Sequence, residues 1–145
     1  MPPASLLLAS AEAGGTGERY PLDNVRMQKA VFLLTQRGPE GWRASYGFEP
    51  YNWGPFSRLL AAELRDKTEA GELATVNIPG NRHAGYRATA TGEMQISSAW
   101  QSLSDREKNF VRTVRKYVTS RSFNDLLREV YAAYPDYATR SHFSG

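Results

Sequence analysis

At 145 residues the chain has the size of one domain, and the absence of cysteine excludes disulfides and thiolate metal sites. The net charge of +3 lies wholly in the last third, because residues 1–100 carry ten basic and ten acidic side chains whereas residues 101–145 carry eight and five. Aromatics at 12% argue against long disordered tracts, and no run of about 20 apolar residues is present to span a membrane.

Residues 4–13 read as a short apolar helix, stopped by the flexible Gly14-Gly15-Thr16-Gly17. The run Ser5-Leu6-Leu7-Leu8-Ala9-Ser10-Ala11 has small residues suited to a cleavage site, yet no Lys or Arg precedes it and its apolar core is short for a signal peptide. The expected compartment is the cytoplasm. A second helix is expected from Val25 to Arg37. Met27, Ala30, Val31 and Leu34 share one face while Phe32 and Leu33 lie off it, so this helix is apolar on most sides and belongs at the centre of the core. Gly38-Pro39 ends it, with glycine at C′ and a proline that cannot continue.

Trp42 to Trp53 alternates in places and contains Gly47 and Pro50, which suits an irregular or edge strand. A third helix is expected from Pro55, whose ring pre-sets φ for the first turn, to Ala70, with Gly71 at C′. Phe56, Leu60, Ala61 and Leu64 form its expected buried side. Leu73–Ile78 and Tyr86–Ala90 then read as a hairpin whose loop, residues 79–85, is long enough to protrude as a wing. Three helices finish the chain. The first opens at Thr91-Gly92-Glu93 and reaches Trp100, the second runs from a Ser104/Glu107 capping box to Thr119, and the last starts from Ser122 and Asp125. Phe110, Val111, Val114, Tyr117 and Val118 face the core in the second of these, and Phe123, Leu127, Val130, Tyr131 and Tyr134 in the last.

The order predicts an α+β fold, mostly helical, with a winged-helix-like core, a small β-hairpin wing and extra C-terminal helices. The expected organisation is a single domain over 1–145: an N-terminal helix and link (1–20), the core (21–90), the C-terminal helices (91–137) and a tail (138–145).

No catalytic constellation is visible. His83 and His142 have no metal-ligand spacing around them, no Gly-x-Ser-x-Gly elbow exists, and neither phosphate-binding glycine loop occurs. The expectation is a protein without enzymatic activity, metal or cofactor. Two constellations remain. Lys108, Arg112, Arg115 and Lys116 fall at i, i+4, i+7 and i+8, a basic stripe opposite the Phe110/Val114 face that suits phosphates or an acidic partner protein. In a winged-helix order the third helix would be the recognition helix, presenting Arg58, Ala62, Arg65 and Glu69, with Arg82 and His83 at the wing tip. Over Arg58–Glu69 three basic residues meet three acidic ones, which gives that helix little hold on a phosphate backbone. The aromatics of residues 42–56 read mainly as core, with Tyr51 and Asn52 expected at the surface.

The segments Met27-Gln28-Lys29-Ala30-Val31-Phe32-Leu33-Leu34 and Tyr51-Asn52-Trp53-Gly54-Pro55-Phe56-Ser57 resemble the "LQKxVFLL … YxxGPxS" pattern of bacterial YwgA-like proteins and the related Panacea (SocA-like) antitoxin domains. The resemblance spans Leu6 to Tyr137, since Tyr131 and Tyr134-Pro135-Asp136-Tyr137 are similar to the family's VY…YPEY ending. The chain departs from the pattern at Met27, where Leu is usual and Met fills similar space. The resemblance implies an antitoxin-like adaptor that binds a co-encoded protein, in the antitoxin domains a toxin; the YwgA-like branch, to which these two segments are nearer, has no defined role. The expected function is a protein-interaction or regulatory module with partner-binding residues Tyr51, Asn52, Lys108, Arg112, Arg115 and Lys116. The alternative is a winged-helix nucleic-acid-binding regulator acting through Arg58, Arg65, Arg82 and His83.

Overall fold

In the computed structural model, which describes residues 1–14 and 21–141, residues 27–35 of one helix are all buried. This helix, α2 (Asn24–Arg37), is the axis of the fold. Its largely apolar sequence leaves it no solvent face over these positions, so neighbouring elements enclose it. Asp23 caps its start by accepting from the Arg26 N–H.

Preceding it are α1 (Ala4–Ala9), a single 3-10 turn at Ala11–Ala13, and the short strand β1 (Leu22–Asp23). All six residues of α1 are buried. Part of the expected Gly15-Thr16-Gly17 link and His142 with the rest of the tail lie outside the described residues. After α2 a 3-10 turn (Glu40–Trp42) leads to the hairpin β2 (Glu49–Tyr51) and β3 (Gly54–Phe56), then to α3 (Arg58–Glu69). Strands β4 (Leu73–Val76) and β5 (Gly85–Ala88) follow, and three helices close the chain: α4 (Ala90–Ser102), α5 (Asp105–Thr119) and α6 (Phe123–Ala133), ahead of a 3-10 turn at Pro135–Ala138. The chain is α+β and mainly helical. Strands β1, β5 and β4 form one antiparallel sheet in that order, and β2 with β3 forms a second. Among the described residues no helix is long and apolar enough to cross a membrane.

Four local expectations are corrected. Pro55 does not open a helix: it lies in β3 opposite Pro50, and α3 begins at Arg58 because Ser57 caps it, its Oγ accepting from the Leu60 N–H. The irregular strand of residues 42–53 is thus the first arm of a hairpin, preceded by a loop. Gly38 is the C-cap of α2 in extended backbone, and its value is space, since a Cβ there would come within 2.3 Å of the Leu34 carbonyl and 2.9 Å of the Phe110 ring. The Ser104/Glu107 box forms in both directions, but at α6 Ser122 accepts from the Asp125 N–H while the Asp125 carboxyl turns to Arg128.

Around α2 the apolar contacts are dense. Phe32 meets the rings of Phe48, Tyr134 and Tyr137 edge-on at 5.2, 4.9 and 4.8 Å, so the C-terminal segment is packed onto the same helix as the 43–48 loop. Val31 and Leu34 have no exposed surface. Leu34→Ala should therefore cost about 2–5 kcal/mol, measured by denaturant unfolding, with little change in the slope of the transition.

Candidate functional site

Two polar side chains, Gln28 and Lys29, sit among the buried residues of α2. Both are almost fully buried, so each must find a partner inside the fold. Gln28 clamps the backbone of Ser57 from both sides: its Oε1 accepts from the Ser57 N–H at 2.8 Å and its Nε2 donates to the Ser57 carbonyl at 3.0 Å. The Lys29 amine donates to the Trp53 carbonyl at the turn of the β2–β3 hairpin. Gly54 makes room for it. A Cβ at that position would lie 3.2 Å from Lys29 Cε and 3.3 Å from both Lys29 Nζ and Leu127, and the φ of +99° disfavours any side chain. The two sequence segments that resemble a family pattern thus meet in space, one satisfying the other.

The clamp extends outward. Ser57 Oγ donates to the Tyr46 carbonyl at 2.6 Å, and the Tyr46 hydroxyl donates to Glu63 Oε1 at 2.6 Å. That hydroxyl also accepts from the Ala4 N–H, and Glu63 Oε2 accepts from the Ser5 N–H, so the start of α1 is held by α3 and the 43–48 loop. Burial pushes the Lys29 amine down to about 7, opposed by Asp23 and assisted by Arg26. Burial, then the charge of Glu63 and the hydrogen bond to it, drive the Tyr46 phenol far above the ordinary tyrosine range, with the Ala4 N–H pulling the other way.

Above this frame the hairpin tip is open. Tyr51 is 41% exposed and Trp53 43% exposed, while Trp42 and Tyr46 of the same aromatic segment are buried. Tyr51 leans on Phe56 at 4.9 Å with Arg140 5.9 Å from its ring, and Trp53 meets Phe123 edge-on at 5.7 Å. Asn52 is half-buried, its carbonyl accepting from Ser141 Oγ at 3.4 Å.

The basic stripe does not survive folding. Arg115 is buried and donates to the Leu8 carbonyl at 3.0 Å, because α1 lies against that edge of α5. Arg112 is exposed but engaged: its Nε donates to the Glu12 carbonyl at 2.8 Å and its guanidinium lies 5.2 Å from the Trp100 ring. Lys108 is half-buried and Lys116 exposed. The nucleic-acid set is dispersed too. Arg58 pairs with Glu49 at 3.4 Å and Arg65 with Asp66 at 3.8 Å. Arg82 and His83 are exposed on the β4–β5 loop.

Residues that the sequence reading did not single out build a second polar hub. Asp23 accepts from Arg26 Nη1 at 2.8 Å and from Asn81 Nδ2 at 3.1 Å, which ties the β4–β5 loop to the first turn of α2. Arg26 in turn donates to the Val118 and Arg121 carbonyls, both at 3.0 Å, closing the α5–α6 junction. The available signal was polarity out of place: Gln28 and Lys29 stand inside an otherwise apolar run, and Asp23 stands where an N-cap belongs.

Two outcomes follow from the buried charges. The unfolded Lys29 titrates near 10.5 and the folded one near 7, so between these values the unfolded chain binds more protons and stability rises with pH. The Tyr46 shift has the opposite sign, its contribution being present below the unfolded value of 10.0 and lost above it. Unfolding free energy, and melting temperature with it, should climb from pH 7 to about 10 and then fall, the free-energy climb being on the order of a few kcal/mol and flattened by Lys29→Met. Separately, Arg115→Glu should cost about 3–5 kcal/mol because it breaks a buried contact and reverses its charge. Lys116→Glu, one residue away on the surface, should stay within about 0.5 kcal/mol in the same unfolding assay.

Comparison with known proteins supplies no relative, since no family model and no curated protein matches this sequence.

Proposed function

We propose that this chain is a non-enzymatic protein-interaction module, an antitoxin-like adaptor that binds a co-encoded protein through the tip of the β2–β3 hairpin. The observation that carries the reading is the pairing of two exposed aromatic rings, Tyr51 and Trp53, with a backbone fixed from beneath by Gln28 and Lys29. Tyrosine and tryptophan dominate interface hot spots, and rings already held in place lose little freedom on binding. Arg140, stationed beside Tyr51, adds a cation of the kind interfaces favour. The partner surface consequently shifts from the basic stripe to Tyr51, Trp53 and the flank of Asn52.

A second reading, a winged-helix nucleic-acid-binding regulator, is favoured by chain order: β1, α2, α3 and the β4–β5 hairpin occur in that sequence, with the β2–β3 hairpin inserted between α2 and α3 and with β5 between β1 and β4 in the sheet. Against it stands the charge of α3. Arg58 and Arg65 each have a carboxylate beside them, and Glu69 offsets what remains. Such a face gains little from counterion release.

Co-expression with the product of the neighbouring reading frame, followed by size-exclusion chromatography, should give a stoichiometric complex. The double change Tyr51→Ala with Trp53→Ala should weaken it by at least about 30-fold, as hot-spot losses of about 2 kcal/mol or more imply, while the far-ultraviolet circular dichroism is unchanged. A chain that forms no such complex and instead binds one operator sequence tightly would reverse the choice. Its salt slope should then be near −0.9 per phosphate contact, and binding should be lost on changing Arg58, Arg65 and Arg82 to Ala.

A further inference from the structure

The β2–β3 hairpin is built to open apart from the rest of the chain. Its strands are three residues long, and the central pair, Pro50 and Pro55, has no N–H to donate. Both ends are fixed beneath it. Gln28 clamps Ser57, Ser57 Oγ ties that point to the Tyr46 carbonyl, and the Phe48 ring packs on Phe32. Above this base the polar tie from α2 to the hairpin is the Lys29 amine, which donates to the Trp53 carbonyl at the turn.

Lys29 is 2% exposed, its partner there is a neutral carbonyl, and no carboxylate lies within ion-pair distance of its amine among the described residues. The charged groups on the elements around it are engaged elsewhere. Glu49 of β2 pairs with Arg58, Asp125 and Glu129 of α6 pair with Arg128 and Arg121, and Arg115 of α5 donates to the Leu8 carbonyl. Tyr131 of α6 donates to Ser141, and in the segment after α6 Asp136 is exposed and Arg140 lies by the Tyr51 ring. Asp23 and Arg26, paired with each other at 2.8 Å, act on the amine in opposite directions. Burial therefore decides its state, and the shut hairpin favours the neutral amine. Gly54 makes the seal close, since a Cβ on its backbone would stand 3.3 Å from Lys29 Nζ. Lifting the hairpin admits water to the amine and restores its preference for a proton.

We infer that residues 49–56 open as one unit about the Gln28 clamp, and that Lys29 is the proton-linked latch on them. Shut, the latch is a neutral amine; open, it is an ammonium that has taken one proton from water. The shut amine titrates near 7 and the opened one near 10.5, so between these values opening takes up a proton and becomes rarer as pH rises. Below 7 both forms are charged and the dependence ends. This regulation rests on the reading of the tip as the partner surface, whose partner-ready form gains with rising pH.

Quenched-flow amide hydrogen exchange on the native full chain tests the latch from about pH 7.5 to 9.5, above the histidine range near about 6.5. The opening constant at Tyr51, Gly54 and Phe56 should fall about tenfold per pH unit, and so about 100-fold across the window. Hydroxide catalysis rises by the same factor, so the measured exchange rate at these amides should not change with pH. Their exchange should also respond far less to urea than that of the slowest α2 amides, as a local opening requires. Lys29→Met should make the hairpin rates rise with hydroxide. In the unaltered chain without urea, acetic anhydride should acylate Lys29, more slowly than the exposed Lys116. Should Lys29→Met fail to fold, that labelling decides the question. Hairpin rates that rise with hydroxide in the native chain, or that stay flat in Lys29→Met, would overturn the inference. So would urea sensitivity equal to that of α2, or acylation of Lys29 only where urea unfolds the chain. A proton-linked hairpin in a chain that forms no co-encoded complex would keep the latch and remove the adaptor reading. A stable complex with hairpin amides that follow hydroxide would do the reverse.

Discussion

A lysine and a glutamine buried side by side in the central helix impose the constraint on which the rest depends. Leaving either side chain without a hydrogen-bond partner at that depth costs a sizeable fraction of a small domain's whole stability. Their partners are main-chain atoms of residues 53 and 57, so α2 reaches its buried position only if the β2–β3 hairpin and the start of α3 are already in register with it. Packing and polar satisfaction then become one requirement. The hairpin has three-residue strands and a Pro50–Pro55 pair lacking N–H donors, so its own ladder holds it weakly. Side chains from α2 supply what the ladder lacks.

The same logic extends from both ends of α2. At the start, Asp23 and Arg26 connect the β4–β5 loop to the α5–α6 junction, two regions far apart in sequence. At the far end, Arg37 and Phe32 receive Tyr134 and Tyr137 from the segment that follows α6. One helix therefore organises the N-terminal, middle and C-terminal thirds through polar contacts at its ends and middle and apolar contacts in between. The open aromatic tip is a consequence. Because Lys29 pins the hairpin at its turn and Gln28 at its base, Tyr51 and Trp53 can expose their rings without loosening the segment that carries them.

How much of this was legible in the sequence follows from the range of each signal. The central helix, the Ser104/Glu107 box and the β4–β5 hairpin depend on residues within a few positions of one another, and spacing reveals them. Pro55 misled because a proline before an amphipathic run suits a helix start as well as a strand, and only Ser57, two residues on, supplies the cap. Arg115 misled for a different reason. On a helical wheel it belongs with Arg112 and Lys116, but α1 covers that edge of α5, and no local pattern announces a contact 107 residues away. Trp53 was read as core from its type, whereas its carbonyl is what the core uses and its ring faces outward. Of the candidate site, Tyr51 was legible as a surface position, whereas Asn52, expected beside it at the surface, is half-buried. The clamp beneath them was not, since nothing in the order of residues says which backbone atoms a buried lysine will find.

Charge shows the same gap between composition and surface. The basic excess of the last third invites a reading in terms of phosphates or acidic partners. Within that third, however, Arg112 is tied to Glu12, Arg115 to Leu8, Arg121 to Glu129, Arg128 to Asp125, and Arg140 lies against Tyr51. Five of the eight cations are engaged within the chain, three of them by ion pairs at 2.7–3.9 Å. Arg106, Lys108 and Lys116 remain without a carboxylate at ion-pair distance among the described residues, the two lysines on the stripe that helical spacing drew. A formal excess of positive charge is thus a poor guide to what this molecule attracts. The field a partner meets is set by the few cations that folding leaves without an ion pair.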